Sequence, residues 1–108
     1  MSSLDTIPGM IEVGTNEIAT YNFDVTAILG SGESLQANPA PTATMLSIGN
    51  YSAVTSPFIG APGTSGNLIQ ININGLTLQL KQSYWLIISY NTTPTKRLQC
   101  RIQVNAVV

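Results

Sequence analysis

Asp24 and Glu33 are the acidic residues closest to the expected core strands. Most glycosidases use a pair of carboxylates as their catalytic residues. They stand nine residues apart, on either side of Gly30-Ser31-Gly32, a sequence typical of a turn. Carboxylates in such positions more often accept hydrogen bonds at turns and strand ends, and we interpret both in this way. The chain has no histidine, so it lacks the side chain that most often transfers protons in catalysis.

The residue types also give little support for a catalytic thiol, a metal site or a phosphate-binding loop. Cys100 is the single cysteine; its alternating strand indicates a small buried residue, and a catalytic thiol would need a basic neighbour. The acids are too dispersed for a calcium cage, and zinc lacks a ligand set. The Gly30-Ser31-Gly32 turn has no Lys-Ser/Thr ending for a phosphate. We therefore expect no enzyme activity, no metal and no cofactor.

The few charges are segregated along the chain. The acids lie in the first third and the bases in the last quarter: Asp5, Glu12, Glu17, Asp24 and Glu33, then Lys81, Lys96, Arg97 and Arg101. Charged residues are 8% of the chain, against the usual ~25%. Such a surface favours a protein that contacts other proteins. The net charge of −1 predicts no nucleic-acid binding.

The apolar runs are too short for a membrane span, and the N-terminus does not resemble a signal peptide. We therefore expect no membrane contact, and we expect synthesis in a cytoplasm.

The dominant sequence period is two, which is the period of a β-strand. From Arg97 to Val108 polar and apolar residues alternate without a break, which predicts one shared inward face for Leu98, Cys100, Ile102, Val104, Ala106 and Val108. The same alternation sends two further sets of side chains inward: Tyr21, Phe23 and Val25, and Ile69, Ile71 and Ile73. Strands are predicted near 18–27, 34–37, 42–47, 51–55, 67–73, 76–80, 83–91 and 96–107. Asn74-Gly75 predicts a hairpin turn, after which Leu76, Leu78 and Leu80 would continue the inward face.

Seven or eight short strands separated by turn signals predict an all-β protein, an immunoglobulin-like antiparallel β-sandwich. Residues 1–15 alternate poorly, and Ile7-Pro8-Gly9 interrupts them, so we predict an N-terminal arm or short edge strand there and the sandwich over 16–108. Tyr84 opens a late strand. In immunoglobulin-like sandwiches a tyrosine at this place hydrogen-bonds back to the preceding corner; a plain core tyrosine is the alternative.

Alternation over 83–91 leaves Trp85 and Ile87 on the outer face, and the residues that it turns inward are Tyr84, Leu86, Ile88 and Tyr90. Three interpretations stay open: cover by the arm or a loop, a protein–protein contact, or a platform for carbohydrate. Arg97 and Arg101 share the polar face of the last strand, where they would meet solvent or an acidic partner such as the N-terminal third of another copy. The candidate interface residues are Trp85, Ile87, Arg97, Arg101, Ile7, Met10 and Ile11.

The chain resembles a family of small immunoglobulin-like proteins encoded among the structural genes of tailed bacteriophages. The residues that carry the resemblance begin with Asn16-Glu17, Tyr21-Asn22-Phe23-Asp24-Val25-Thr26, Leu29 and Gly32-Glu33-Ser34-Leu35. They continue with Ile71-Asn72-Ile73-Asn74-Gly75, Tyr84-Trp85-Leu86, Asn91-Thr92-Thr93 and the strand from Arg97 to Val104. The chain departs from the family in its longer loop 56–66 and in Leu76-Thr77-Leu78-Gln79-Leu80, where a short glycine-rich turn is expected.

The resemblance implies an accessory structural protein of the virion that is made in the host cytoplasm. A capsid cement or decoration protein is the first expectation, with the major capsid protein or other virion proteins as partners and self-association as a further expectation. A neck or fibre–tail adaptor is the alternative within the particle. A glycan-binding adhesion module is an alternative of another class, and it would need exposed aromatic residues such as Tyr51 or Trp85 flanked by amides.

Overall fold

The computed structural model describes residues 4–26, 29–30, 32–38, 40–93 and 96–108, without the side chains of 4–9 and 93. Ser31 of the predicted Gly-Ser-Gly turn and the side chain of Ile7 lie outside this description. The described part contains eight strands: β1 (Leu4–Gly14), β2 (Ile18–Asp24), β3 (Ser34–Leu35), β4 (Thr42–Ser47), β5 (Gly63–Ser65), β6 (Leu68–Asn74), β7 (Ser83–Thr93) and β8 (Lys96–Val107). A 3-10 turn over Gly75–Thr77 joins β6 to the segment before β7.

The strands form two sheets that pack as a sandwich. The larger sheet has the order β1-β8-β7-β3, and β4 also pairs with β7; the smaller sheet has the order β2-β6-β5. The predicted all-β class and two-sheet arrangement are confirmed. One pairing departs from a purely antiparallel sandwich, because β1 runs parallel to β8. Parallel neighbours need a long crossover between them, and here the whole intervening chain provides it.

The core lies between the two sheets and is made by alternate residues of each strand. The inward positions predicted for β2, β6 and β7 are confirmed, with Tyr21 only partly buried at the margin. On β8 the prediction holds from Cys100 to Ala106, whereas Leu98 is partly buried and Val108, beyond the end of the strand, is 88% exposed. The buried apolar side chains are Val13, Phe23, Val25, Met45, Ile69, Ile71, Ile73, Leu78, Tyr84, Leu86, Ile88, Tyr90, Cys100, Ile102, Val104 and Ala106. The role predicted for Cys100 as a small core residue is thereby confirmed.

β1 is an edge strand of 11 residues, longer than the weak alternation of residues 1–15 suggested. Its register on β8 shifts between Thr6 and Met10, across the Ile7-Pro8-Gly9 sequence. Proline lacks an N–H for the ladder and is tolerated at bulges and on edge strands. The interruption in the sequence pattern is therefore an irregularity within a strand.

The predicted hairpin at Asn74-Gly75 and the strand over 76–80 are wrong. The Asn74 side-chain oxygen accepts a hydrogen bond from the Leu76 amide at 3.1 Å, and this cap starts a 3-10 turn in place of a second strand. As a result Leu78 is buried, whereas Leu76 and Leu80 are 60% and 45% exposed. The strand predicted near 51–55 is also absent: these residues run beside β4 as a loop with one isolated bridge, Leu46 to Ala53.

Candidate docking face

The side of the larger sheet that points away from the smaller sheet gathers most of the candidate interface residues. Leu46 on β4 stands opposite Trp85 on β7, and Ile87 stands opposite Arg101 on β8. Met10 on β1 stands beside β8 at the margin. We call this surface, formed by Met10, Leu46, Trp85, Ile87, Arg97 and Arg101, the outer face. Period-two alternation in four neighbouring strands is what brings these side chains together.

Trp85 lies at the centre of the outer face and is half-buried. The guanidinium carbon of Arg101 stands 4.3 Å from the centroid of its ring, within the range of a cation–π contact. Of the interpretations left open for Trp85, cover by the N-terminal arm does not apply to the described residues, because β1 extends the sheet beyond β8. A side chain of the same sheet shields the indole, and this arrangement leaves an apolar ring with a cation over it at the surface.

Arg97 is placed differently from Arg101, although both project from the same face of β8. Its Nη2 donates a hydrogen bond to Thr42 Oγ1 on β4 at 3.1 Å, and the residue remains exposed. The link spans β7, so Arg97 lies across the sheet surface. The outer face thus presents two guanidinium groups near its apolar centre.

The three candidates from the N-terminal segment separate in the structure. Met10 belongs to the outer face, is 57% exposed, and its sulfur accepts from Asn105 Nδ2 at 2.7 Å. Ile11 points to the opposite side and packs against the core, so it does not contribute to this surface. The side chain of Ile7 lies outside the described part. Leu46 was missed as a candidate, yet the inward position of Met45 beside it was the signal that could have identified it.

The carboxylates of Asp24 and Glu33 accept hydrogen bonds at turns, as predicted. Asp24 Oδ1 accepts from the Thr26 hydroxyl at 2.6 Å and from the Thr26 amide at 2.9 Å, and these bonds lower the pKa of Asp24. Glu33 accepts from the ammonium of Lys96 at 2.7 Å and from the amide of Gly30 at 2.6 Å. The Lys96 bond is the first cause of the lowered pKa of Glu33. One acid of the N-terminal third and one base of the C-terminal quarter are therefore joined inside a single molecule.

Of the two alternatives left open for Tyr84, the structure has the one in which its hydroxyl bonds back to the preceding corner. Its hydroxyl accepts from the backbone amide of Gln79 at 2.9 Å, which ties the start of β7 to the preceding corner. The ring is buried, so this bond satisfies a polar group at the edge of the core.

No protein-family model matches the chain, and no curated protein is similar to it in sequence. Within the described residues, no group of three or more acidic, cysteine or histidine side chains is arranged to hold a metal. The same residues include no helix with the length and apolar character to cross a membrane.

Proposed function

We propose that this chain is a protein-binding β-sandwich whose outer face docks on a larger protein assembly. The observation that carries the proposal is the cluster of Leu46, Trp85 and Ile87 on the solvent side of the larger sheet. Such a group would be expected in the core of a protein that works alone, whereas tryptophan beside aliphatic residues is common at the centre of interfaces.

The charges on this surface indicate the character of the partner. Arg97 and Arg101 project from the outer face, and the acid that shares it in the described part is Glu12, which stands opposite Asn105 at the β1 margin. A complementary surface would carry carboxylates toward the arginines, and complementary charge orients two proteins as they associate. The partner we propose is thus an acidic patch on a protein assembly. A second copy of this chain is the competing occupant, because Glu17 and Asp24 are exposed elsewhere on it.

The resemblance over residues 16–108 supports a more specific proposal: the assembly is the virion of a tailed phage, and the chain is a cement or decoration protein on its capsid. A protein of this kind stabilises the shell because it binds the assembled state alone. Each contact can be weak, since many symmetric copies act together. An immunoglobulin-like topology is part of this proposal and follows from the same resemblance.

Quantitative mass spectrometry of purified phage particles tests the proposed location. The amount of this chain is measured relative to the major shell protein. A ratio near one, or a simple fraction of it, supports capsid cement. A handful of copies per particle would instead indicate a neck or fibre adaptor, and complete absence from particles would refute a virion role.

A Trp85→Ala variant tests the outer face itself. We expect at least a tenfold loss of affinity for particles, because truncating a central interface tryptophan costs about 2 kcal/mol or more. Tyr51→Ala is the matched control, since it removes an exposed aromatic side chain that lies off the outer face. Circular dichroism must show that both variants fold. An unfolded Trp85→Ala protein, or equal losses from the two variants, would remove the support for docking through this surface.

The Arg101 contact allows a further check on the isolated protein. A double-mutant cycle with Trp85→Ala and Arg101→Ala should give a coupling energy of about 0.5–1 kcal/mol in unfolding experiments. Since this contact holds the guanidinium over the ring, Arg101→Ala should also weaken particle binding. A coupling energy of zero would mean that Arg101 does not organise the centre of the outer face.

A further inference from the structure

An uncharged cleft lies at one end of the larger sheet, beside the end of β4 and the start of β7. Its volume is about 520 Å³, within the range of small-molecule sites. The lining includes Ser47, Asn50, Ser52, Gln79, Gln82 and Tyr84. None of the residues of the outer face belongs to it, and no charged side chain lines it among the described residues.

The polar groups of the cleft offer both donors and acceptors. Asn50 Oδ1 accepts from the Ser52 amide at 3.0 Å, which directs its remaining N–H donors away from that bond. The side chains of Gln79 and Gln82 are exposed and form no hydrogen bond with other described residues. Amides and hydroxyls can each donate and accept, and adjacent hydroxyl groups of a ligand require this combination.

Next to this cleft the backbone adopts positive φ angles that, among the described residues, are otherwise found only at glycines. Three residues other than glycine have positive φ there: Tyr51 at 55°, Ser56 at 51° and Lys81 at 66°. Each is next in sequence to a residue that lines the cleft. Positive φ is unfavourable for side chains with a Cβ, and such strain tends to be retained where function requires it. The two loops of the cleft therefore hold their shape at an energetic cost.

Both loops are also fixed by backbone hydrogen bonds. The Tyr51 amide donates to the Ser47 carbonyl at 2.9 Å, and the Lys81 amide donates to the Ala106 carbonyl at 3.0 Å. Tyr51 stands between two lining residues but does not line the cleft itself, and it is 62% exposed at the rim. An exposed tyrosine has an apolar ring and a polar tip, which suits a ligand with both C–H faces and hydroxyl groups.

We propose that this cleft binds one or two units of a neutral carbohydrate, with the amides of Asn50, Gln79 and Gln82 bonding to ring hydroxyls and with Tyr51, which is next to the lining, packing against a unit that extends past the rim. The inference goes beyond docking on a protein assembly and depends on a different surface. Failure of one proposal would leave the other standing.

NMR titration of the ¹⁵N-labelled full chain with lactose, maltose and N,N′-diacetylchitobiose provides the test. At least one disaccharide should bind with a dissociation constant on the order of 1 mM, and its shifts should fall in residues 47–55 and 77–84. A Gln79→Ala/Gln82→Ala double variant should bind about tenfold more weakly. Gln70→Ala, a change at an exposed glutamine on β6, should leave the affinity unchanged.

Tyr51→Gly separates binding from folding. It removes the ring and also relieves the positive φ, so the variant should melt at a higher temperature than the parent while its affinity for the disaccharide falls. The proposal is overturned if none of the three disaccharides shifts the two segments at about 50 mM, far above the expected dissociation constant. Glucuronic acid is the charged comparison. If the parent chain bound it as tightly as the disaccharides, and the double variant bound it equally well, the assignment of the cleft to neutral sugars would be overturned.

Discussion

Gly75 occupies a position where three pieces of backbone meet, and replacing it with alanine should damage the fold sharply. Its amide donates to the Glu17 carbonyl at 2.8 Å. A Cβ at this residue would overlap the carbonyl oxygen of Gly14 and lie 2.8 Å from that of Glu17. Both obstacles are backbone atoms, so no side-chain rotation can relieve the contact. The connection between β1 and β2 must move away from the 3-10 turn.

The expected loss of stability follows from the groups that have to separate. Forcing extra atoms into a packed site costs about 1–3 kcal/mol, and loss of the Gly75–Glu17 hydrogen bond adds about 1 kcal/mol. The lower entropy of alanine in the unfolded chain returns about 0.4–1 kcal/mol. We expect a net destabilisation of about 2–3 kcal/mol, which for a domain of this size lowers Tm by roughly 10 °C.

Urea unfolding and differential scanning calorimetry of Gly75→Ala measure this loss. Gly63→Ala is the matched control, because a Cβ there would meet no atom within 4 Å; with no clash to offset the entropy gain, it should leave the free energy of unfolding unchanged or raise it by up to about 1 kcal/mol. Amide exchange at Gly75 and Thr15 should also accelerate in the first variant. If the two variants were equally stable, the close approach of the three backbone segments would be refuted.

Two further predictions concern side-chain hydrogen bonds, one made by Tyr84 and the other by Glu33. Tyr84→Phe leaves the Gln79 amide without its acceptor and should lower the free energy of unfolding, measured with urea, by about 1–2 kcal/mol. Tyr21→Phe is the control and should cost clearly less, because the Tyr21 hydroxyl makes only a long 3.4 Å bond. A larger loss from Tyr21→Phe than from Tyr84→Phe would contradict the assignment. Glu33 has a folded-state pKa below its ordinary value because Lys96 and then Gly30 donate to it, so its contribution to stability is full above pH 4.5 and is lost as pH falls through the lowered pKa. Glu33→Gln should therefore flatten the acid limb of a stability-versus-pH curve, and an unchanged slope would show that the Lys96 bond does not form in solution.

The faces of individual strands could be read from the sequence because strand alternation is a local property. The inward set predicted for β7 is buried, as is that of β8 from Cys100 to Ala106, and Trp85 lies on the opposite side as expected. Alternation failed where a different local rule applied. At Asn74 a side-chain cap starts a 3-10 turn, and three leucines with strand spacing end up in different environments.

The candidate site was predicted in part. Trp85, Ile87, Arg97 and Arg101 lie on neighbouring strands whose pairing follows from a short connection, so their shared face was accessible to sequence reasoning. Leu46 joins them only because β4 pairs with β7 from 37 to 47 positions away in the chain. The polar cleft was not predicted, since its two loops carry generic polar residues and gain their meaning from being adjacent.

The sequence by itself determined the all-β class, the buried side of each main strand and the scarcity of charged chemistry, because composition and period-two patterning act over a few residues. The tertiary structure alone decided that β1 runs parallel to β8, that Glu33 meets Lys96, that Arg101 covers Trp85 and that a cleft forms beside Tyr84. These depend on which distant segments lie side by side and in which direction. That choice is made by the packing of the whole core, and no single stretch of the chain contains the information that determines it.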